Sequence, residues 1–144
     1  MSSPQLMLFG AVLAQVALTA ILYLLLAQVR FTLANDASLD RKRLAYDQSA
    51  WPMRAQLISN SVISQFEAPV LFYVGVLFAF HFHVVDQTMA ILGWIFVASR
   101  IIHAVIHTTR NIVFPRFGAF LLGLFSLIVF WALLGIRVFG IGQS

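Results

Sequence analysis

The sequence predicts an all-α integral membrane protein that folds as a bundle of four transmembrane helices. Of its 144 residues, 61% are hydrophobic and only 10% are charged, whereas soluble domains are about half apolar and about a quarter charged. The apolar residues fall into four runs, and each run is near the roughly 20 residues that a helix needs to cross a bilayer. We therefore expect residues 1–144 to form a single membrane domain.

The four predicted spans cover residues 6–29, 56–80, 88–108 and 117–138. The first span is longer than the apolar core of a secretory signal and has no positive charge before it, so we expect it to be retained as a helix. Basic loops at 30–55 and 109–116 follow the first and third spans, whereas the loop after the second has no Lys or Arg. Since Lys and Arg accumulate on the cytoplasmic side, both basic loops are expected there and both termini on the opposite side.

Polar side chains recur along one face of three of the spans. Residues at i, i+3, i+4 and i+7 share a face of an α-helix, so this spacing indicates sides that point to other helices rather than to lipid. The polar faces comprise Gln15, Thr19 and Tyr23 in the first span, Gln56, Asn60, Ser64 and Glu67 in the second, and Arg100, His103, His107 and either Arg110 or Asn111 in the third.

Glu67 and Arg100 are the ionisable residues expected to anchor a buried polar seam. A charge at membrane depth costs roughly 3 kcal/mol and therefore needs a partner. The two residues lie about 16 Å and about 12 Å above the cytoplasmic ends of their helices at ~1.5 Å per residue, so we expect them to form an ion pair. Two interpretations stay open: the pair fixes helix register, or it belongs to a binding site.

Other features of the composition exclude several kinds of chemistry. The chain has no cysteine, which excludes disulfides, thiolate metal sites and cysteine nucleophiles. His103 and His107 are one helical turn apart, but no HExxH pattern or second histidine pair accompanies them, so no metal site is expected. The basic residues flank membrane spans rather than forming a face interleaved with aromatics, so no nucleic-acid partner is expected.

Two segments provide a more specific signal. They are FEAPVLFY at residues 66–73, and SRIIH at residues 99–103 followed by His107, Arg110, Asn111 and Arg116. Together with the chain length, the number of spans and the loop lengths, these segments resemble the MAPEG family, the membrane-associated proteins in eicosanoid and glutathione metabolism. The resemblance is strongest to the small bacterial members of that family and extends over nearly the whole chain.

The resemblance implies a homotrimer in the bacterial inner membrane, with both termini periplasmic and glutathione held between neighbouring subunits near the cytoplasmic face. Arg116 matches the family's arginine at the start of the fourth helix, which stabilises the glutathione thiolate. That role agrees with the lowering of a thiol pKa by a nearby cation. The remaining contacts to glutathione are assigned by the resemblance to Glu67, Arg100, His103, Asn60, Ser64, His107 and Arg110.

Three of these positions depart from the glutathione-binding members. Those members have an arginine seven residues before the second-helix glutamate and an asparagine three before it, where this chain has Asn60 and Ser64. They also have a tyrosine seven residues after the third-helix arginine, where this chain has His107. One cationic contact to a glutathione carboxylate is therefore missing.

Three functions remain open from the sequence. The first is a glutathione-dependent transferase or peroxidase acting on hydrophobic electrophiles or lipid hydroperoxides that arrive through the bilayer. The second is a non-catalytic membrane protein of the same fold, in which the polar seam assists assembly or binds a membrane lipid or another anionic ligand. A transporter or proton path ranks last, because no pair of broken, repeated helices is present.

Overall fold

A computed structural model of the chain describes residues 1–34, 36 and 39–140, with only the backbone of Arg41. Part of the predicted loop 30–55 and the C-terminal end of the predicted domain 1–144 lie outside the described residues. The helices are α1 (Ser3–Ala34), α2 (Arg41–Tyr46), α3 (Met53–Ile63), α4 (Ala68–His81), α5 (Gln87–Thr108) and α6 (Val113–Val138), with short 3-10 helices at Gln48–Ala50 and Ser64–Phe66.

Four helical stretches in the described chain are long and apolar enough to cross a membrane. They are Ser3–Ala34, Met53–His81, Gln87–Thr108 and Val113–Val138. The prediction of an all-α, multi-pass integral membrane protein with four membrane helices is therefore confirmed. Each stretch begins before the corresponding predicted span, because hydrophobicity marks only the lipid-embedded part while the helix continues into the polar interface.

α5 is the central helix, and it packs against α1, α3 and α6. In the larger apolar core, Phe72 of α4 stacks on Phe96 of α5 with 4.8 Å between ring centroids, and Phe130 of α6 meets Phe72 edge-on at 6.3 Å. A smaller cluster joins α1 to α3 near the first basic loop through residues such as Leu22 and Ile58. The polar residues described below lie between these two clusters.

α5 and α6 approach closely at Gly123. A β-carbon at this position would lie 2.3 Å from Ser99 Oγ, and Ser99 is buried and donates to the Phe96 carbonyl. Close by, the Ser126 hydroxyl of α6 donates to the Leu92 carbonyl of α5 at 2.7 Å. Small residues and hydroxyl groups at such a contact are typical of membrane helices, which associate through close packing rather than through exclusion of water.

The second membrane stretch is not one continuous helix. α3 passes into the 3-10 helix Ser64–Phe66, and Glu67 then adopts φ −100° and ψ −104° before α4 begins. Pro69, at the start of α4, explains the interruption. In a continuous α-helix its ring would clash with the carbonyl of Gln65, and it has no N–H to donate to that carbonyl.

Arg137 fastens the α4–α5 loop to the end of α6, at the end of the bundle away from the basic loops. Its guanidinium donates to the Val84 carbonyl at 3.2 Å and to the Asp86 carboxylate. Asp86 also caps α5 by accepting a hydrogen bond from the backbone N–H of Met89 at 2.9 Å. The hydrogen bond from Arg137 holds the pKa of Asp86 below its usual value.

Replacement of Gly123 by alanine is expected to destabilise the protein, because the new methyl group must displace Ser99 or separate α5 from α6. Overpacking of this kind costs about 1–3 kcal/mol, and the midpoint of thermal unfolding in detergent should fall. Gly135→Ala is the matched control, since no described atom of another helix lies within 4 Å of a β-carbon there. If the two variants have the same midpoint, the α5–α6 contact is looser than described.

The Asp86–Arg137 pair predicts a specific response to acid. Because the pKa of Asp86 is lower in the folded than in the unfolded protein, its contribution to stability is complete above the unfolded value of about 3.9 and is lost as the pH falls through the folded value. The native thermal midpoint should therefore decline as the pH falls below about 4. Asp86→Asn, which can still accept the cap hydrogen bond, should decline less, and equal declines would contradict this assignment.

Candidate functional site

A chain of hydrogen bonds crosses the middle of the bundle from α1 to α5. Gln15 Nε2 donates to Gln65 Oε1 at 2.9 Å, and Gln65 Nε2 donates to the Ser61 carbonyl at 2.9 Å and to Ser64 Oγ at 3.3 Å. From the other side, Arg100 Nη2 donates to Ser64 Oγ at 2.9 Å and to the Ser64 carbonyl at 3.0 Å. We call these five residues the polar seam; it joins α1, the broken second stretch and α5.

Arg100 caps the C-terminal end of α3 within the membrane. The interrupted helix leaves carbonyl groups without an intrahelical donor, and the end of a helix carries partial negative charge that favours a cation. Arg100 is only 2% exposed, and both of its hydrogen-bonding partners are oxygen atoms of Ser64, which is neutral. Its positive charge is therefore stabilised by dipoles and not cancelled by a bonded carboxylate.

The predicted ion pair between Glu67 and Arg100 is wrong. Glu67 is exposed in the single chain and forms no ion pair or hydrogen bond with a described side chain, although its charge acts on Arg100 from a distance. The prediction assumed a continuous helix from 56 to 80. The interruption before Pro69 turns Glu67 away from Arg100. The predicted polar face also fails within α3 itself, because Asn60 is exposed while its neighbours Ser59 and Ser61 are buried. Of the predicted face, Ser64 contacts Arg100.

His103 and His107 form a second polar group on α5, nearer the α5–α6 turn. Their rings are 5.6 Å apart and nearly perpendicular, and the His103 ring lies 6.3 Å from that of Phe120 on α6. The Nδ1 atoms of both histidines are buried and have no hydrogen-bond partner within the described protein. No group of three or more potential metal ligands occurs in the part of the chain that the structure describes.

Arg116 lies in the first turn of α6, and its guanidinium is held by the Asn111 side chain through a hydrogen bond to Oδ1. Asn111 has φ 49°, the left-handed conformation that asparagine adopts more readily than most residues. Its backbone N–H donates to the Ile106 carbonyl at 2.7 Å, which ends α5. Because the amide is neutral, Asn111 orients Arg116 without cancelling its charge.

The wider sequence decides which family this membrane bundle represents. A family model described as the MAPEG family matches residues 8–136. The chain belongs to the MAPEG family. The match extends from α1 almost to the end of α6, so the resemblance inferred from residues 66–73 and 99–116 is confirmed. No curated protein and no solved structure matches the chain.

In this MAPEG protein, the eight predicted site residues fall into three sets according to what surrounds them. Ser64 and Arg100 bond to each other; His103, His107 and Arg116 interact electrostatically; Glu67, Asn60 and Arg110 are exposed in the single chain. The charge of Arg100 also acts on both histidines. We call the first two sets, which contain the guanidinium groups of Arg100 and Arg116, the cationic region. Among described side chains, neither Asn60 nor Arg110 has a hydrogen-bond or ion-pair partner.

Sequence analysis missed Gln65 and gave no role to Asn111. Gln65 lies outside the polar face predicted by helical spacing, yet it is 1% exposed and makes the central bonds of the polar seam. The available signal was Pro69, because a proline four residues later deprives the Gln65 carbonyl of its helical donor and predicts local rearrangement. The contact from Asn111 to Arg116 depends on a left-handed backbone conformation that no pattern in the sequence indicates.

Removal of the amide of Gln15 is expected to destabilise the polar seam. Gln15→Met leaves Gln65 Oε1 without its donor, and loss of an interhelical hydrogen bond in a membrane protein costs about 1 kcal/mol. The thermal midpoint in detergent should fall, and adding Gln65→Met should cost less in the Gln15→Met background than in the native protein. Gln87→Met, at the exposed start of α5, is the control; additive effects of the two substitutions would show that the glutamines do not interact.

Proposed function

We propose that this protein is a glutathione-dependent transferase that joins the glutathione sulfur to hydrophobic electrophiles arriving through the bilayer. Membership of a family in glutathione and eicosanoid metabolism supports the proposal. The observation that carries the proposal is the hydrogen bond from the Arg116 guanidinium to the side-chain amide of Asn111. This partner orients Arg116 but is neutral, so it does not cancel the positive charge. A fixed, uncompensated cation is the group required to stabilise a thiolate.

The chemistry follows from the pKa of a thiol. A free cysteine thiol has a pKa of about 8.5, so most of it is protonated at neutral pH, whereas the thiolate is the nucleophile. Beside Arg116, the thiol loses its proton to solvent more readily, because the guanidinium stabilises the anion. The sulfur electron pair then forms a bond to the electrophilic carbon, while the leaving group departs with its own pair or an added proton completes the product.

Charged and polar side chains around Arg116 suit the groups of glutathione other than its thiol. The peptide carries two carboxylates and one ammonium group. Arg110, which is exposed, suits contact with a carboxylate, whereas the buried Arg100 attracts a carboxylate by its charge. The Glu67 carboxylate suits the ammonium group, from which it would accept hydrogen bonds. His103 and His107 offer ring nitrogen atoms that have no partner in the described protein. Asn60 and Ser64 supply uncharged contacts where other family members have an arginine and an asparagine, so we expect affinity weaker than theirs.

We place this site between neighbouring protomers of a homotrimer. Glu67 lies near the middle of the second membrane stretch and is exposed in the single chain. A carboxylate facing lipid at that depth would cost roughly 3 kcal/mol, so burial against a second protomer and a cationic ligand is favoured. The excess of basic residues in the first and third loops supports a cytoplasmic site, periplasmic termini and, for a bacterial protein, the inner membrane.

A groove beside Glu67 suits a hydrophobic substrate. The adjacent residue, Phe66, lines a groove of about 300 Å³ between α1 and the broken second stretch, together with Tyr23 and Tyr73. The Tyr23 and Phe66 rings meet edge-on at 6.2 Å. An aromatic-lined groove that opens toward lipid suits a lipid-soluble electrophile or a lipid hydroperoxide. With a hydroperoxide, two glutathione molecules would be oxidised to the disulfide while the peroxide is reduced to an alcohol and water.

The first experiment is glutathione titration by calorimetry in detergent, followed by turnover with chlorodinitrobenzene. Arg116→Ala should lower thiolate-dependent turnover by at least about tenfold, since a hydrogen bond to a charged group is worth about 1.5–3 kcal/mol, while the oligomer remains intact on gel filtration. Arg116→Lys should restore part of the rate. Lys42→Ala, an exposed loop variant, is the matched control; full activity of Arg116→Ala would exclude this mechanism.

A second candidate function is supported by the use of Arg100 and Ser64 within the polar seam. Their mutual hydrogen bonds stabilise the interrupted helix, so the same residues serve a purely structural role without any ligand. Absence of binding at millimolar glutathione would favour this non-catalytic alternative, in which the cationic region binds a lipid headgroup or another anion.

A further inference from the structure

A cleft between α1 and α3 opens at the end of the bundle that carries the first basic loop. Its volume is about 260 Å³. One wall is apolar and consists of Leu25, Val29 and Leu33 of α1, which follow one another at four-residue spacing, and of Ile58 of α3. This spacing aligns the α1 side chains along one face over about 12 Å. The apolar wall is thus a straight trough parallel to the helix axis.

The mouth of the cleft is polar and cationic. Arg54, in the first turn of α3, is exposed, and no hydrogen bond or ion pair described in the structure uses its guanidinium. Gln28 and Thr32 of α1 line the same region. The Thr32 hydroxyl already donates to the Gln28 backbone carbonyl at 2.9 Å, whereas no hydrogen bond described in the structure uses the Gln28 side-chain amide. One free cation and one amide therefore stand at the top of an apolar trough.

Arg30 and Trp51 mark the depth of this mouth in the membrane. The Arg30 guanidinium lies over the Trp51 ring, 5.0 Å from its centroid, and Trp51 Nε1 donates to the Leu44 carbonyl at 3.1 Å. Tryptophan and arginine in contact with each other are typical of the interface between hydrocarbon and water. Pro52, directly after Trp51, lines the cleft. The cationic mouth therefore lies at headgroup level, and the trough leads from it along α1 into the hydrocarbon.

We propose that this cleft binds one anionic phospholipid, with its phosphate at Arg54 and Gln28 and one acyl chain along Leu25 and Ile58. The charge of the mouth complements a phosphate diester, and the apolar trough complements a chain but offers nothing to a free phosphate ion. None of these residues belongs to the proposed glutathione site, so the failure of one proposal would not affect the other. The bound lipid fills the gap between α1 and α3, and so it joins the first basic loop to the bundle.

The test is competitive lipid binding, measured by native mass spectrometry of the whole protein in detergent with equal amounts of phosphatidylglycerol and phosphatidylcholine. We expect the first bound lipid to be phosphatidylglycerol by about fivefold, which corresponds to one cationic contact at the membrane surface. Arg54→Gln should reduce this preference to near parity. Lys42→Gln removes one charge from the same loop at an exposed position outside the cleft and should leave the preference unchanged.

Leu25→Trp tests the apolar half of the cleft, because the larger ring occupies the trough. This substitution should prevent binding of either phosphatidylglycerol or phosphatidylcholine in the cleft, while the oligomer keeps its size. An unchanged preference in Arg54→Gln, or an equal loss in Lys42→Gln, would overturn the proposal in favour of general attraction to the basic loop. Glycerophosphate that competes as well as the lipid would also overturn it. So would a Leu25→Trp variant that dissociates the oligomer and retains its lipid, since a second protomer would then occupy the cleft.

Discussion

The interruption of the second membrane helix at Pro69 is the constraint on which the rest of the structure depends. A proline at this position removes a hydrogen bond inside lipid, where an unsatisfied backbone group costs several kcal/mol. Side chains supply donors to other oxygen atoms of the interrupted stretch: Gln65 donates to the Ser61 carbonyl, and Arg100 donates to the carbonyl and the hydroxyl of Ser64. The interruption is stable because α1 and α5 each contribute a polar side chain to it.

The hydrogen bonds that stabilise the interruption also determine the charge around Arg100. Arg100 is bound by dipoles and not by a carboxylate, so its positive charge persists in a region that His103 and His107 share. Arg116 follows the same principle, since Asn111 orients it through a neutral amide. Two guanidinium groups with neutral partners make this part of the bundle attractive to anions. The hydrogen bonds that stabilise the interrupted helix therefore leave the charge of Arg100 without a bonded counter-ion.

Much of the fold follows from the sequence because hydrocarbon tolerates few alternatives. Four apolar runs must form four helices, since the α-helix is the structure in which one segment satisfies all its own backbone N–H and C=O groups in lipid. Helical spacing also placed Arg100, His103 and His107 correctly on a buried or part-buried face of α5. It failed in the second stretch for two reasons: the helix is interrupted before Glu67, where a 3.6-residue period no longer applies, and the face chosen in α3 included Asn60, which is exposed. Glu67 was therefore placed inside, and Gln65, which lies between the expected positions, was overlooked.

The polar seam also explains why the Glu67 carboxylate has no partner among the described side chains. In a continuous second helix, helical spacing predicts that the Glu67 carboxylate faces Arg100 and that the two charges satisfy each other within one chain. The interruption instead leaves Arg100 with the helix end and turns Glu67 toward the outside of the protomer at membrane depth. Lipid solvates a carboxylate poorly, and this is the reason for proposing that a neighbouring subunit or a ligand supplies a cation to Glu67. The proline that interrupts the helix thus determines which side of the bundle carries the Glu67 carboxylate.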